Sequence, residues 1–243
     1  MASTSETGHA KNVANFQDLI EFVTGYGGTY NPSKNSLKLG AIISLKASAE
    51  GNLTDVISKN TAYNNKVNER IMAFSDLKSL STRLVNALQT TDATTETIND
   101  AKTFNRKMHG KKASSSQVPT DPNSPAPSTI STSQQSYDQL IQHLAGLNSV
   151  LEAESSYTPN ETDLQVATIQ TKIAELTAKN TAVATAYTSI SNSRITRNET
   201  LYSNTTGLVE TALEVKKYIK SIFGATSPQY AQVKSIEFTK PRL

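Results

Sequence analysis

The chain predicts an all-α fold, two tandem related helical units with long amphipathic helices and a short C-terminal strand, and three observations carry that prediction. The opening at residues 30–37 recurs at 157–164, with Tyr30, Pro32 and Leu37 answered by Tyr157, Pro159 and Leu164 at identical spacing. Each opening leads into a long stretch whose apolar residues recur at steps of three and four. Between the copies lies a segment rich in Ser, Thr, Pro and Gln, with Pro119, Pro122, Pro125 and Pro127 blocking regular structure. The resulting boundaries are a first helical unit over 1–110, a linker over 111–136, and a second unit with its tail over 137–243.

Residues 1–12 are polar and read as a loose arm. Phe16, Leu19, Ile20 and Val23 mark a short amphipathic helix that Gly25, Gly27 and Gly28 end. Its counterpart carries Tyr137, Leu140, Ile141, Leu144, Leu147 and Leu151, with Ser136 as N-cap; setting Ile141 against Ile20 places a six-residue insertion before the second long helix. Asn31 and Thr158 read as N-caps, which puts Pro32 and Pro159 at the first helical position, where a missing N–H costs nothing. Glu161 would complete a capping box with Thr158.

The first seam runs through Leu39, Ile42, Ala49, Leu53, Val56, Tyr63, Val67 and Phe74, the second through Val166, Ile169, Ile173, Leu176, Val183, Tyr187 and Ile190. Such spacing puts the apolar residues on one helix face turned to partner helices. Helices over 33–75 and 160–203, roughly 43 residues each, would span about 65 Å at 1.5 Å per residue. The competing reading turns the chain at Asn64-Asn65 and at 191–193; the seam continues through both and favours unbroken helices. Gly40 and Gly51 stand where the second copy has Ala167 and Ala178, which reads as a demand for small residues at a close helix approach.

A third helix follows in each unit, through Leu77, Leu80, Leu84 and Leu88 in the first and Leu208, Ala212, Val215, Ile219 and Ile222 in the second, the latter ending at Gly224. Ile98, Ala101, Phe104 and Met108 give the first unit one more helix, closed by Gly110, for which the second has no evident equivalent. In the tail, Ile236 and Phe238 alternate with Glu237 between Pro228 and Pro241, the period of a strand. A lone strand needs a partner, and the arm 1–12 and the linker are the extended segments that could supply one, within the molecule or in a neighbour.

Composition narrows the chemistry. The 243 residues contain no cysteine and no tryptophan, which leaves an aliphatic core and removes disulfides and thiolate catalysis. A formal charge of +3 is too small for a strong polyanion-binding field. The three histidines, His9, His109 and His143, lack the spacing of a metal site, and no G-x-S-x-G, P-loop or G-x-G-x-x-G motif occurs. The sequence therefore calls for no cofactor, no metal and no catalytic residue, and chelation is expected to leave folding unchanged. No apolar run approaches the ~18–20 residues that span a bilayer, and the N-terminus has no signal-like apolar region, so a cytoplasmic protein without membrane insertion is expected.

The strongest electrostatic feature is the cluster Arg106, Lys107, Lys111 and Lys112, at a helix end where cations complement the dipole. Arg70 and Arg197 lie near the seams of the two long helices and could pair with Glu69 and Glu199. The segments 8–16, 25–32, 131–137 and 223–230 resemble a group of bacterial helical proteins with an internal duplication, and that resemblance implies a bacterial source and says nothing of mechanism. The reading that follows is a non-enzymatic structural or interaction protein that self-associates through helix packing and terminal-arm exchange, with Ile236 and Phe238 as assembly contacts. The alternative is an adaptor that binds nucleic acid or another polyanion through the basic cluster.

Overall fold

The computed structural model describes residues 7–110 and 135–240. Among them are eight α-helices: α1 Thr7–Gly25, α2 Leu39–Ala73, α3 Leu77–Leu88, α4 Thr95–His109, α5 Tyr137–Ala153, α6 Val166–Tyr202, α7 Leu208–Phe223 and α8 Pro228–Lys234. The fold is all-α. None of these helices is long and apolar enough to cross a membrane.

The long helices α2 and α6 run unbroken through Asn64-Asn65 and through residues 191–193. They start later than the Tyr-x-Pro openings predict. Pro32 and Pro159 precede short 3₁₀ turns at Asn35–Leu37 and Thr162–Leu164, and the α-helices begin two residues beyond. Glu161 flanks its 3₁₀ turn without a side-chain cap, so no capping box forms with Thr158. The shared tyrosines explain the delay. The hydroxyl of Tyr30 donates to the carbonyl of Leu37 at 2.7 Å, and that of Tyr157 donates to the carbonyl of Leu164 at 2.9 Å. Both rings are buried, so each bond satisfies a hydroxyl that would otherwise be costly to bury and locks the turn before the helix.

Burial along the long helices is narrower than the predicted seam. Ile42, Ala49 and Val56 are buried one per heptad, as are Ile169, Leu176, Val183 and Ile190, with the buried Arg197 seven residues further on. Tyr187, placed on the seam by its spacing, is 58% exposed. Gly40 and Gly51 mark no close approach, because a Cβ at either would meet nothing within 4 Å.

Contacts divide the chain into two compact units that cut across the predicted domains 1–110 and 137–243. One is built from Met1–Tyr63 with Ala186–Leu243, the other from Asn64–Thr185. Each long helix is therefore shared between the units, α2 giving residues 39–63 to the first and 64–73 to the second, α6 giving residues 166–185 to the second and 186–202 to the first. The first unit contains α1, α7 and α8, with a core of Phe16, Leu19, Ile42, Leu208, Ala212 and Val215 among others. The second contains α3, α4 and α5, whose core includes Leu84, Leu88, Met108, Leu144, Leu147 and Leu176.

Within each unit the same devices recur. The 3₁₀ turn before α2 packs on α7, and that before α6 packs on α3. Lys34 bridges Glu214 on α7 at 2.5 Å; Asp163 bridges Arg83 on α3 at 2.5 Å, with the charges reversed. On α1 the buried Phe16, Leu19 and Val23 repeat as Leu144, Leu147 and Leu151 on α5. That register pairs Ile20 with Asn148, not with Ile141, and reduces the six-residue insertion to a one-residue difference. Arg70 does not pair with Glu69 as expected. Glu69 is held by Lys66 and Lys179, while Arg70 donates to Asn180 at 2.9 Å and stacks 3.9 Å over Tyr137. Arg197 binds the side-chain oxygen of Asn198.

Two corrections bear on the termini. Residues 7–12 belong to α1 and are not a loose arm. No strand forms among the described residues, and the stretch after Pro228 first makes the two turns of α8, opened by Ser227, whose hydroxyl accepts from the N–H of Tyr230 at 3.1 Å.

Candidate interaction site

The residues that follow α8 form an extended strap, 236–240, held in a groove of the first unit between α1 and α7. The groove begins with the stripe on α1. His9, Asn12, Val13, Phe16, Leu19, Ile20 and Val23 recur at helical spacing and are all buried, which puts two polar side chains on an otherwise apolar face. A buried polar group needs partners. Asn12, 2% exposed, finds them in the strap: its Nδ2 donates to the carbonyl of Thr239 at 2.7 Å, and the N–H of Thr239 donates to its Oδ1 at 3.0 Å. The same amide donates to the Tyr202 hydroxyl at 3.3 Å, which lies 2.6 Å from Nδ1 of His9.

One turn along, Asn15 donates to the carbonyl of Glu237 at 2.6 Å. From the other wall, Lys216 on α7 donates to the carbonyl of Ile236 and, at 3.3 Å, to that of Lys234. Burial lowers the pKa of this ammonium, while the carboxylate of Glu237 works in the opposite direction. The main chain of the strap is thus read by side chains from two helices.

Side chains of the strap alternate as an extended segment must. Ile236 and Phe238 are half-buried against the core; Glu237 and Thr239 are exposed. The Phe238 ring meets Phe16 edge-on at 6.4 Å, and Lys216 lies 5.5 Å over its face. Lys240 bridges Glu210 on α7 at 2.5 Å and donates to Asn204 at 3.2 Å. Upstream, Tyr26, just past the end of α1, donates to the carbonyl of Gln229 at 3.0 Å and fixes the start of α8.

The energies nearly cancel. Ordering five residues costs roughly 5–10 kcal/mol at about 1–2 each. Against that stand four hydrogen bonds to the strap's main chain, about 1 kcal/mol each, and roughly 1–2 for each half-buried apolar side chain, with smaller ring and ion-pair gains. A strap so balanced can stay in place or be released at little cost.

The period-two alternation at Ile236 and Phe238 is real, but the strap pairs with amide side chains and not with another strand. Asn12 and Asn15, which the sequence reading left in or beside a loose arm, carry the site; the signal that could have found Asn12 is a polar residue on the apolar stripe of α1.

Arg106 and Lys107 occupy the last turn of α4, where Arg106 donates to Thr103 at 2.9 Å and Lys107 lies 5.5 Å over the Phe104 ring. Lys111 and Lys112 fall outside the described residues. Among the described residues no group of three or more His, Cys, Asp and Glu side chains could hold a metal. In the second unit a cavity of about 200 Å³ is lined by Asp76, Arg83, Asp163 and Lys172, whose charges already pair with one another. Comparison of the chain with protein-family models, with curated proteins and with solved structures finds no match.

Proposed function

We propose that this is a non-enzymatic helical interaction protein that self-associates by exchanging its C-terminal strap between copies. One observation carries the reading: Asn12 engages both the N–H and the carbonyl of Thr239, and Asn15 and Lys216 take neighbouring carbonyls, so the groove grips the main chain of the strap as well as its side chains. A groove of this kind accepts the strap of a second copy with the same bonds it makes to its own, and the exchange needs no new surface.

The repeated devices support a tandem duplication behind this arrangement. Tyr30 and Tyr157, the two 3₁₀ turns and the two charge-reversed bridges match one another, and each unit takes helices from both copies. On that reading the chain already performs internally the exchange of elements that the strap performs between molecules.

Light scattering on the full chain over a range of concentrations, beside a variant lacking residues 229–243, tests the proposal. Oligomers that grow with concentration and vanish with the tail, while helical circular dichroism persists, are expected; a full chain that stays monomeric at every concentration overturns it.

A further inference from the structure

We infer that the groove between α1 and α7 is a peptide receptor with a readable preference, for an extended segment of the form aliphatic-x-aromatic-x-lysine. The inference rests on the strap reading above and names the chemistry of its occupant, which is the C-terminal segment of a second copy.

The preference follows from what faces each position. At the two x positions, Glu237 and Thr239, the groove touches the main chain through Asn15 and Asn12 while both side chains are exposed. Those positions accept most residues other than proline, which has no N–H to give Asn12 at the second of them. Phe238 is read by its ring, against the edge contact with Phe16 and under the ammonium of Lys216. Both contacts require an aromatic side chain. Ile236 packs against the apolar cluster that contains Phe16 and Val215. Lys240 is read by charge, through Glu210, with Asn204 as a second acceptor.

Asn12 is the residue on which the receptor turns. Its amide spans one residue of the ligand in both directions, and the hydroxyl of Tyr202 fixes its orientation from behind. Aspartate at this position keeps the acceptor for the N–H and loses the donor for the carbonyl, so Asn12→Asp separates a steric role from a reading role.

The test uses the full chain with its own strap loosened by Phe238→Ala and Lys240→Glu, and a fluorescently labelled peptide of residues 235–243 as the probe, followed by anisotropy. Saturable binding is expected, weakened tenfold or more when the peptide carries Phe238→Ala or Lys240→Glu. Glu237→Ala and Thr239→Ala in the peptide are expected to change it less than threefold, and Thr239→Pro to abolish it. Binding indifferent to Phe238→Ala, or no binding at all, overturns the inference. Should the loosened chain fold poorly, hydrogen exchange on the unaltered chain gives the second readout. The Thr239 amide is expected to be protected, and to lose that protection tenfold or more in Asn12→Asp with circular dichroism unchanged; an unprotected amide counts against the receptor. Peptide binding in a chain that light scattering finds monomeric would leave the receptor standing and remove self-association; oligomers without peptide binding would remove the receptor alone.

Discussion

Replacing Gly51 by alanine asks whether the outer face of α2 is as open as it looks. In an exposed helix interior alanine is favoured over glycine by about 1 kcal/mol, because glycine loses more backbone entropy on folding. A Cβ at Gly51 meets nothing within 4 Å, so no steric cost offsets that gain. The expected result is a stabilisation of about 1 kcal/mol, or a rise in Tm of about 2–4 °C for a chain of this size. Gly40 lies at the second position of α2, in its first turn, and should give a smaller gain of the same sign. Gly146 on α5 is the internal contrast: its added methyl would run into the Phe104 ring, with Cζ only 2.5 Å away. Overpacking of this kind costs about 1–3 kcal/mol, which meets or exceeds the propensity gain, so Gly146→Ala should lower Tm or leave it unchanged. Trimming the ring with Phe104→Leu should restore the gain, and the coupling is read from a double-mutant cycle. Thermal melts followed by circular dichroism at low protein concentration measure all of these. A fall in Tm for Gly51→Ala would refute the argument and mean that the face around residue 51 packs on something.

Three further outcomes are expected. Leu176 is fully buried at the contact of α6 with the second core, so Leu176→Ala should cost about 2–5 kcal/mol in denaturant unfolding; a loss under 1 kcal/mol would mean the heptad contact is not close-packed. Burial pushes the Tyr157 hydroxyl up from 10.0 to about 12 and raises Tyr30 in the same direction. The unfolded chain then releases these protons first, so the contribution of these two hydroxyls to stability should be constant below about pH 10 and decline as the pH rises from about 10 to 12; a Tyr30→Phe, Tyr157→Phe double variant should lose most of that alkaline slope in pH-dependent urea unfolding. The tail-borne bridge predicts that Glu210→Lys speeds exchange of the strap amides and that Lys240→Glu added to it restores them; failure of the second change to rescue the first would remove the charge reading of Lys240.

What the sequence could disclose and what it could not separate along physical lines. Periodicity found the helices, because a buried stripe must recur every three or four residues whatever it packs against. Gly110 and Gly224 marked two helix ends correctly, since both adopt positive φ, at 72° and 91°, that other residues rarely tolerate. The start of α2 and α6 was misread because Pro32 and Pro159 satisfy the rule for a first helical turn, while side-chain bonds from Tyr30 and Tyr157 to carbonyls seven residues on delay the helix by a 3₁₀ turn. Heptad spacing could not say that Tyr187 faces outward, since one buried residue per heptad and two produce overlapping patterns. The division into units was hidden altogether: it depends on which halves of the long helices meet, and no local signal encodes that. The strap lay between these cases. Its alternation was legible at Ile236 and Phe238, but the partners were two asparagines and a lysine on two helices, and a side chain that pairs with main chain leaves no strand pattern of its own.

The measurement closest to the central claim uses the absence of cysteine from the chain. Asn15 donates to the Glu237 carbonyl, which brings the strap beside α1 at these two positions. A copy carrying Asn15→Cys is mixed with a copy carrying Glu237→Cys, equilibrated at high concentration, oxidised, and run on a non-reducing gel beside a control mixture with the second cysteine at the exposed Ile57. Strap exchange predicts a disulfide-linked dimer of the two different copies, absent from the control and lost when Phe238→Ala loosens the strap. A mixture that yields no such dimer, while a single chain carrying both cysteines closes an internal disulfide, would contradict exchange and leave the strap as a clasp within one molecule.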